Sequence, residues 1–413
     1  MKKSLLAVAA IGAFASAAQA QSSVTVYGIL DVGFVGSHYS GTSTGANASM
    51  GNSTSGGLAT NGSSAGFGQS AESTSRLGFK GKEDLGGGLN AIFTVEAALN
   101  PNGQANAFAF NRQTFAGLSK NGLGFAAIGT QYTPIFDVMA TTDAASMNNL
   151  VGNAIYSGSL QSTTGTYNTG LAPYTTASST ASTSLNEASS AYVTRASNAL
   201  KVQSERMGGF QAQAFYAQSN QSQSNTVGSG ANNNTVFGVN ADYVWNKLNV
   251  VAAYQTFRAQ NGAAAPTTAY TLANGTAGSL GVNASDSQTY AAATYDFGIV
   301  KTYAQYITRK VFATADNSYG SQRSAYQLGA KSFITPTISV YATYGLGKSS
   351  YAQSGTAYAN FRTAQLGSDY YLSKRTNLYV AYGSFNQSSN GATTGGVSGV
   401  SGMNYAAGVR HTF

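Results

Sequence analysis

The chain has 413 residues, 9% of them charged, no cysteine and a formal net charge of +8. Without thiols there is no disulfide framework, no thiol nucleophile and no thiolate metal site. Abundant Gly, Ser, Thr, Asn, Tyr and Phe, with charge, Pro and Trp sparse, exclude an ordinary soluble enzyme and a charge-rich disordered tail, while the mild basic excess favours small anions in general and points to no nucleic acid.

Residues 1–20 read as a signal peptide, with Lys2 and Lys3 as the positive region, an apolar run over 5–15, and Ala18-Gln19-Ala20 as the cleavage motif. Cleavage makes Gln21 the first mature residue, and removing Lys2 and Lys3 takes the formal charge from +8 to +6. No later segment offers the roughly twenty consecutive apolar residues of a spanning helix. Spanning strands remain open, because a barrel's alternating faces leave mean hydropathy near neutral.

Period-two segments then recur to the last residue with no compositional break. They fall at 24–36, 76–82, 89–98, 112–118 and 124–132, and after a long interruption at 192–204, 210–218, 235–245 and 247–257. The rest are 288–296, 299–309, 323–332, 337–348, 361–372, 376–385 and 403–413. This makes about sixteen strands, each near the length a tilted strand needs to cross the apolar band.

The connections alternate between short and long. Short ones such as 83–88, Asn121-Gly122, 207–209, Asn246 and 373–375 are turns, most of them carrying Gly or Asn for positive φ. Long ones run over 37–75, 100–110, 133–191, 219–234, 258–287, 310–322, 349–360 and 386–402. Short periplasmic turns and long outer loops give an even strand number with both termini periplasmic, and pairing the first strand with the last removes the sheet edges. The expectation is one all-β domain over 21–413, a transmembrane antiparallel β-barrel. The Ser/Thr/Gly tracts at 41–64 and 163–184 read as solvated loop tips.

Alternation separates two faces. Over 337–347, Ile338, Val340, Ala342, Tyr344 and Leu346 suit lipid, whereas Ser339, Tyr341, Thr343 and Gly345 suit water. Aromatics at strand ends, such as Tyr243, Trp245, Tyr370, Tyr371 and Phe413, suit an interfacial girdle. Arg76, Lys80 and Lys82 oppose Leu77 and Phe79 in parity, Arg112 opposes Phe115, and Arg195 and Lys201 oppose Leu200 and Val202. With the apolar faces toward lipid, these cations face the lumen. For Lys82 and Lys201, close to turns, simple solvation at the barrel rim is the preferred reading; for Arg76, Arg112 and Arg195 the lumen and the rim both stand.

Several motifs resemble the general diffusion porins of Gram-negative bacteria. They are Val24-Thr25-Val26-Tyr27-Gly28-Ile29-Leu30-Asp31, the stretch from Ser75-Arg76-Leu77-Gly78-Phe79-Lys80 through Gly86-Gly87-Gly88-Leu89-Asn90-Ala91, Asn111-Arg112-Gln113-Thr114-Phe115-Ala116-Gly117-Leu118, and the ending Gly408-Val409-Arg410-His411-Thr412-Phe413. The resemblance implies a homotrimer of sixteen-stranded barrels among outer-membrane lipid and lipopolysaccharide, each with a water-filled channel for small hydrophilic solutes. It implies that the third long loop folds into the lumen as a constriction. Arg76 and Arg112 match the basic wall of that constriction, Arg195 matches it by strand order, and Lys80 shares the face of Arg76. Asp137 and Asp143, after Gly129-Thr130-Gln131-Tyr132-Thr133-Pro134, are the candidates for the acidic side, unless they cap a short helix within the loop. Phe413 matches the terminal aromatic read by the barrel-assembly machinery. No cofactor or metal is implied.

The loop is nevertheless poor in charge, with only Asp137, Asp143 and Glu187 as acids. A basic wall with a weak acidic counterface predicts a preference for anions. Arg258, Arg309 and Lys310 are expected to add to the attraction from the outer side, screened by salt. Two alternatives carry less. A β-barrel enzyme would need a nucleophile with its base, and the mature chain holds only His38 and His411. A substrate-specific sugar or phosphate porin would need a defined lumenal site, for which Tyr303, Tyr341 and Tyr371 are the stacking candidates.

Overall fold

The structure is a computed structural model and describes residues 23–42, 59–101, 108–109, 112–156, 192, 194–221, 232–261, 270–271, 277–278, 283–313, 320–351, 354–388 and 400–413. Residues 1–20, the tract 163–184 and Glu187 lie outside them. Alternating sequence becomes antiparallel strand throughout. The staves are β1 (Ser23–Thr42), β2 (in two segments, Ala59–Gln69 and Arg76–Gly86), β3 (Leu89–Leu99), β4 (Thr114–Lys120), β5 (Gly124–Tyr132), β6 (Arg195–Ser204), β7 (Phe210–Gln221) and β8 (Asn232–Trp245). They continue as β9 (Leu248–Asn261), β10 (Asn283–Asp296), β11 (Lys301–Ala313), β12 (Gly320–Thr335), β13 (Ile338–Tyr351), β14 (Ala357–Tyr371), β15 (Thr376–Gln387) and β16 (Val400–Thr412).

Eighteen strands join one sheet. Both segments of β2 pair with β1, and Phe108–Ala109 pairs with β3 just ahead of β4, so the wall has sixteen staves. Closure comes from β1 against β16, in register from Ile29↔Thr412 to Gly41↔Val400. The main chains of Gly28 and Phe413 extend that seam by two further hydrogen bonds, of 3.0 and 3.1 Å. Every ladder is antiparallel and no sheet edge is left at the seam, which is the condition for a sheet surrounded by lipid.

The strands run further than alternation suggests. The stretch 59–69, expected within an outer loop, is strand paired with the upper half of β1. Polar Ser, Thr and Asn at these ends break no alternation rule once both faces meet water. The turns follow their chemistry, with positive φ at Gly86, Gly87 and Gly88 and at Asn246.

The two faces sort as expected. On β13, Ser339, Tyr341 and Thr343 are buried toward the interior while Tyr344 and Leu346 stand exposed outside. The same holds for Gln365 and Asp369 against Leu366 and Tyr370 on β14. Exterior Tyr and Trp are unevenly spread. Tyr216, Tyr243, Trp245, Tyr254, Tyr295, Tyr326, Tyr344, Tyr370, Tyr382 and Tyr405 all lie on β7 to β16, whereas the exposed large apolar residues of β1 to β6 are Val, Leu, Ile and Phe.

After β5 the chain turns inward. Pro134 opens helix α1 (Pro134–Thr142), where its missing N–H is no loss and its fixed φ suits a first turn. Ile135, Val138 and Met139 of α1, with Val151, Ala154 and Ile155 beyond it, pack against Val251, Ala253, Tyr290, Ala292, Ile307, Ala325, Phe361 and Phe385 of the wall. The loop is thus fastened to the inside of the barrel by an apolar core of its own.

Candidate pore constriction

The inward loop is held by a row of wall amides. Gln255 Oε1 accepts from the Ile135 amide at 3.2 Å, Asn240 donates to the Pro134 carbonyl at 2.9 Å, and Gln327 Oε1 accepts from the Ala154 amide at 2.8 Å. Gln365 Nε2 donates to Asn148 Oδ1 at 2.9 Å and to the carbonyls of Leu150 and Val151, both at 3.0 Å. The amides also link to each other, Gln255 to Gln288 at 2.7 Å and Gln327 to Gln305 at 3.0 Å. Buried loop backbone lacks a ladder partner, and the wall side chains supply what secondary structure does not. Lumenal Gln213, Gln255, Gln288, Gln305, Gln327 and Gln365 were legible as repeated Gln on one parity, a signal the sequence reading did not use.

Glycines on the same face make room. A Cβ on Gly345 would lie 2.4 Å from the Ala154 Cβ, and one on Gly238 2.8 Å from Pro134 Cγ. At its far side the loop is tied to the short crossing between the two segments of β2. The Asn149 amide donates to the Ala71 carbonyl at 2.9 Å, and Asn149 Nδ2 to the Ser70 carbonyl at 2.6 Å. That crossing is itself pinned by Asp31, which accepts from the amides of Glu72 and Ser73 and from the Tyr379 hydroxyl.

Opposite the loop, Arg76, Arg112 and Arg195 come together. Arg112 bonds Glu96 through Nε and donates from Nη2 to the Tyr132 hydroxyl at 2.6 Å. Arg195 lies over the Tyr132 ring, 5.4 Å from its centroid, and its Nε and Nη1 have no hydrogen-bond partner among the described residues. Arg76 donates from Nε to the Thr74 carbonyl and from Nη2 to Ser73 Oγ, both at 3.0 Å. Among the described residues neither Arg76 nor Arg195 meets a carboxylate within ion-pair distance, so Glu96 is the one acid set against three guanidiniums. Tyr27 donates to the other oxygen of Glu96 at 3.0 Å.

Among the described residues of the loop, Tyr156 is the group that faces these arginines. Burial pushes its phenol up, and the charges of Arg112, Arg195 and Arg76 pull against that shift. It is a neutral hydrogen-bonding group at physiological pH. Asp137 bonds Lys201 of β6 instead, and Asp143 accepts from the Met147 amide at 2.7 Å, from Asn153 at 3.1 Å and from Gln327 at 3.2 Å. Neither is the N-cap of α1: that place is Thr133, with Asp137 in the first turn and Asp143 at the C-terminal end. Burial raises both carboxyls, with Lys201 opposing the shift at Asp137.

Three expectations change. The first is Lys201, which is no rim residue but is buried against Asp137. The second is strand parity at the arginines. Arg112 reaches the cluster through a break between Phe108–Ala109 and β4, not through parity, for Phe115 pairs with Thr94 and shares its lumenal parity. Arg195 lies beyond a slip in the β5–β6 register between Gly129 and Gln131, where Asn198 takes φ +53°. The third concerns the outer cations: Arg309 is lumenal and paired with Asp286 at 2.7 Å, whereas Arg258 and Lys310 have the outward parity of Tyr254 and Tyr306. Lys80 stands two places past the last lumenal neighbour of Arg76, exposed, its Nζ 5.4 Å from the Tyr27 ring centroid. Sequence reasoning missed Glu96, Tyr132 and Tyr156. A lone acid in the apolar run Ala91-Ile92-Phe93-Thr94-Val95-Glu96-Ala97-Ala98-Leu99 was the visible signal for the first.

A closed sixteen-stranded sheet, apolar outside and polar within, with a loop that folds into it, has the architecture of a transmembrane β-barrel. The chain belongs to the Gram-negative porin family, whose model matches residues 7–390. It is 37% identical over 153 residues to outer membrane porin protein 32 of Delftia acidovorans, covering 36% of this chain and 37% of that one. It is 37% identical over 134 residues to an outer membrane porin protein of Bordetella pertussis, covering 32% and 34%. The chain thus spans about a third of the length of these curated relatives in the matched stretches. Among solved structures, the anion-selective porin from Comamonas acidovorans superposes with a TM-score of 0.64 at 23% identity, over 95% of this chain and 100% of that one. The trimer form of OmpT from Vibrio cholerae gives 0.57 at 15% identity, over 95% and 99%. These likenesses show the shared fold.

Proposed function

We propose that this protein is a passive outer-membrane channel for small hydrophilic solutes, without enzymatic activity, and that it prefers anions. The observation that carries the preference is the cluster of Arg76, Arg112 and Arg195 with Glu96 as its one paired carboxylate among the described residues, facing the neutral Tyr156. Fixed charge counts most where a pore is narrow and solvent is scarce. Lys80 extends the basic surface along the approach. Asp137 and Asp143, turned to Lys201 and to Gln327, leave the loop side weakly acidic. The relative solved from Comamonas is described as anion-selective, which agrees.

The functional unit is a homotrimer on this reading. Its support is the absence of exposed Tyr and Trp from β1 to β6 among the described residues, since phenols and indoles mark lipid interfaces and a protein contact needs none. OmpT, solved as a trimer, shares the fold. Residues 1–20 serve as the cleaved leader. Phe413, at the closing seam, serves as the signal for the assembly machinery. In planar bilayers under a salt gradient, the purified protein conducts in steps with a reversal potential of anionic sign. Arg76→Gln with Arg112→Gln moves that potential toward cations. Absence of steps overturns the channel, and an unmoved potential overturns the role of the cluster.

A further inference from the structure

We infer that the crossing at residues 70–75, between the two segments of β2, is the spacer that sets the gap between the basic wall and the inward loop, with Asp31 and Asn149 as positioning residues for ion selectivity. The inference rests on the reading of the arginine cluster as the seat of selectivity, and goes beyond it to what fixes the distance of that cluster from the loop. One residue of the crossing touches both sides. The Thr74 carbonyl accepts from Arg76 Nε at 3.0 Å, and the Thr74 hydroxyl accepts from Asn149 Nδ2 at 3.2 Å. Asn149 continues the bridge, its Oδ1 accepting from the Tyr156 hydroxyl at 3.3 Å. Arg76 of the wall and Tyr156 of the loop are thus joined through Thr74 and Asn149 alone.

The crossing serves as a spacer because it is itself held on every side. Asp31 is buried, and one of its carboxylate oxygens accepts from the amides of Glu72 at 2.8 Å and Ser73 at 2.6 Å, the other from the Tyr379 hydroxyl at 2.6 Å. Its main chain adds two bonds, donating to Ser75 Oγ at 3.0 Å and accepting from the Ser70 amide at 2.9 Å. Ser70 takes φ +61°, a left-handed conformation that a Ser keeps only where its surroundings over-determine it. They do so here, for the Ser70 hydroxyl accepts from the Ser75 amide at 2.9 Å and its carbonyl from Asn149 Nδ2 at 2.6 Å. Glu72 is a second anchor, accepting from Arg410 of β16 at 2.9 Å and Asn377 of β15 at 3.0 Å. The wall amides of Asn240, Gln255, Gln327 and Gln365 hold the loop from β8 to β14. Its distance from the arginines is left to the contacts on their own side. That distance matters because the pull of fixed charge falls with separation and with intervening water, so a wider gap conducts more and selects less.

The test reads single-channel conductance and the anion-to-cation permeability ratio of the full protein in planar bilayers under a salt gradient, with folding checked by heat-shifted electrophoretic mobility. Asn149→Leu, which changes no charge, raises the conductance and lowers the permeability ratio about twofold. Asp31→Ala shifts both in the same directions. Its sign is diagnostic, because losing an acid acts through charge alone to raise anion preference, whereas a loosened spacer lowers it. Asp31→Asn removes the same charge but keeps an acceptor for the Glu72 and Ser73 amides, with its amide N–H turned to the Tyr379 hydroxyl. It keeps the parental conductance and a ratio no lower than the parent's. Should Asp31→Ala fail to fold, Asn149→Leu carries the test alone. A folded Asn149→Leu with the parental ratio and conductance overturns the spacer, as does an Asp31→Ala that matches Asp31→Asn. Lower thermal stability without movement of the ratio marks a merely structural role and overturns the assignment. If Arg76→Gln with Arg112→Gln leaves the reversal potential unmoved, the reading of the cluster fails instead, and the spacer then stands or falls on the conductance of Asn149→Leu.

Discussion

Gly383 of β15 lies so close beneath the inward loop that a Cβ there would sit 1.8 Å from the carbonyl oxygen of Val151. Contact this tight between wall and loop fixes how far the loop projects into the lumen. Gly383→Val therefore forces the loop off the wall at an over-packing cost of ~1–3 kcal/mol. The expected outcome is an intact barrel, by electrophoretic mobility, with an altered single-channel conductance. Parental conductance would mean that this part of the loop does not bound the pore.

Gln365→Leu removes three hydrogen bonds to the loop and leaves the Leu150 and Val151 carbonyls without that donor. Each lost net bond is worth about 1 kcal/mol and stranded carbonyls add to it. We expect noisier open-channel current and faster proteolytic nicking of the loop, with the unfolding temperature of the barrel little changed. A quiet, protease-resistant variant would show that the apolar core alone holds the loop.

Glu96→Gln takes away the acid paired with the arginine cluster, its amide oxygen still accepting from Arg112 and its amide N–H turned to the Tyr27 hydroxyl, which then accepts. The reversal potential moves further in the anionic sense, opposite to the shift from removing arginines. Movement toward cations would contradict the assignment.

Lys201→Met strands Asp137. Its carboxyl is already raised by burial, and losing Lys201 raises it further. A carboxyl whose folded pKa lies above its unfolded value loses stability as pH rises through the folded pKa. The variant is thus less stable at pH 8 than the parent by the low end of ~3–5 kcal/mol, because the Asp137 side chain keeps 26% exposure. The deficit shrinks toward about pH 4, near the unfolded carboxyl value. Thermal denaturation at both pH values checks it; a deficit that grows on acidification would refute the sign.

Gly28→Val meets the barrel seam. Even a Cβ would lie 2.3 Å from the Phe413 ring and 2.6 Å from the Arg76 carbonyl oxygen. Folding into vesicles slows, and Phe413→Ala in the same chain restores part of the rate. No slowing would show that the ring moves aside freely.

Much of this molecule was determined by local sequence. Sixteen staves, their facing and the periplasmic turns follow from alternation and from Gly and Asn at positive φ, because a strand's side-chain period is two and a tight turn allows few residues. Tyr344 outside and Tyr341 inside could be told apart from parity alone. The arginines were also visible as lumen candidates, but their meeting was not. Arg112 enters through a broken strand and Arg195 past a bulge, and period-two counting cannot see either. Tertiary structure decided the partners: Glu96 for Arg112, Lys201 for Asp137, Tyr156 in place of a loop acid, and a row of glutamines as the loop's hydrogen-bonding wall. It also turned Arg258 and Lys310 outward. These depend on which residues distant in sequence a closed, sheared barrel brings to one height, and on which buried polar groups remain to be satisfied once the loop has folded in.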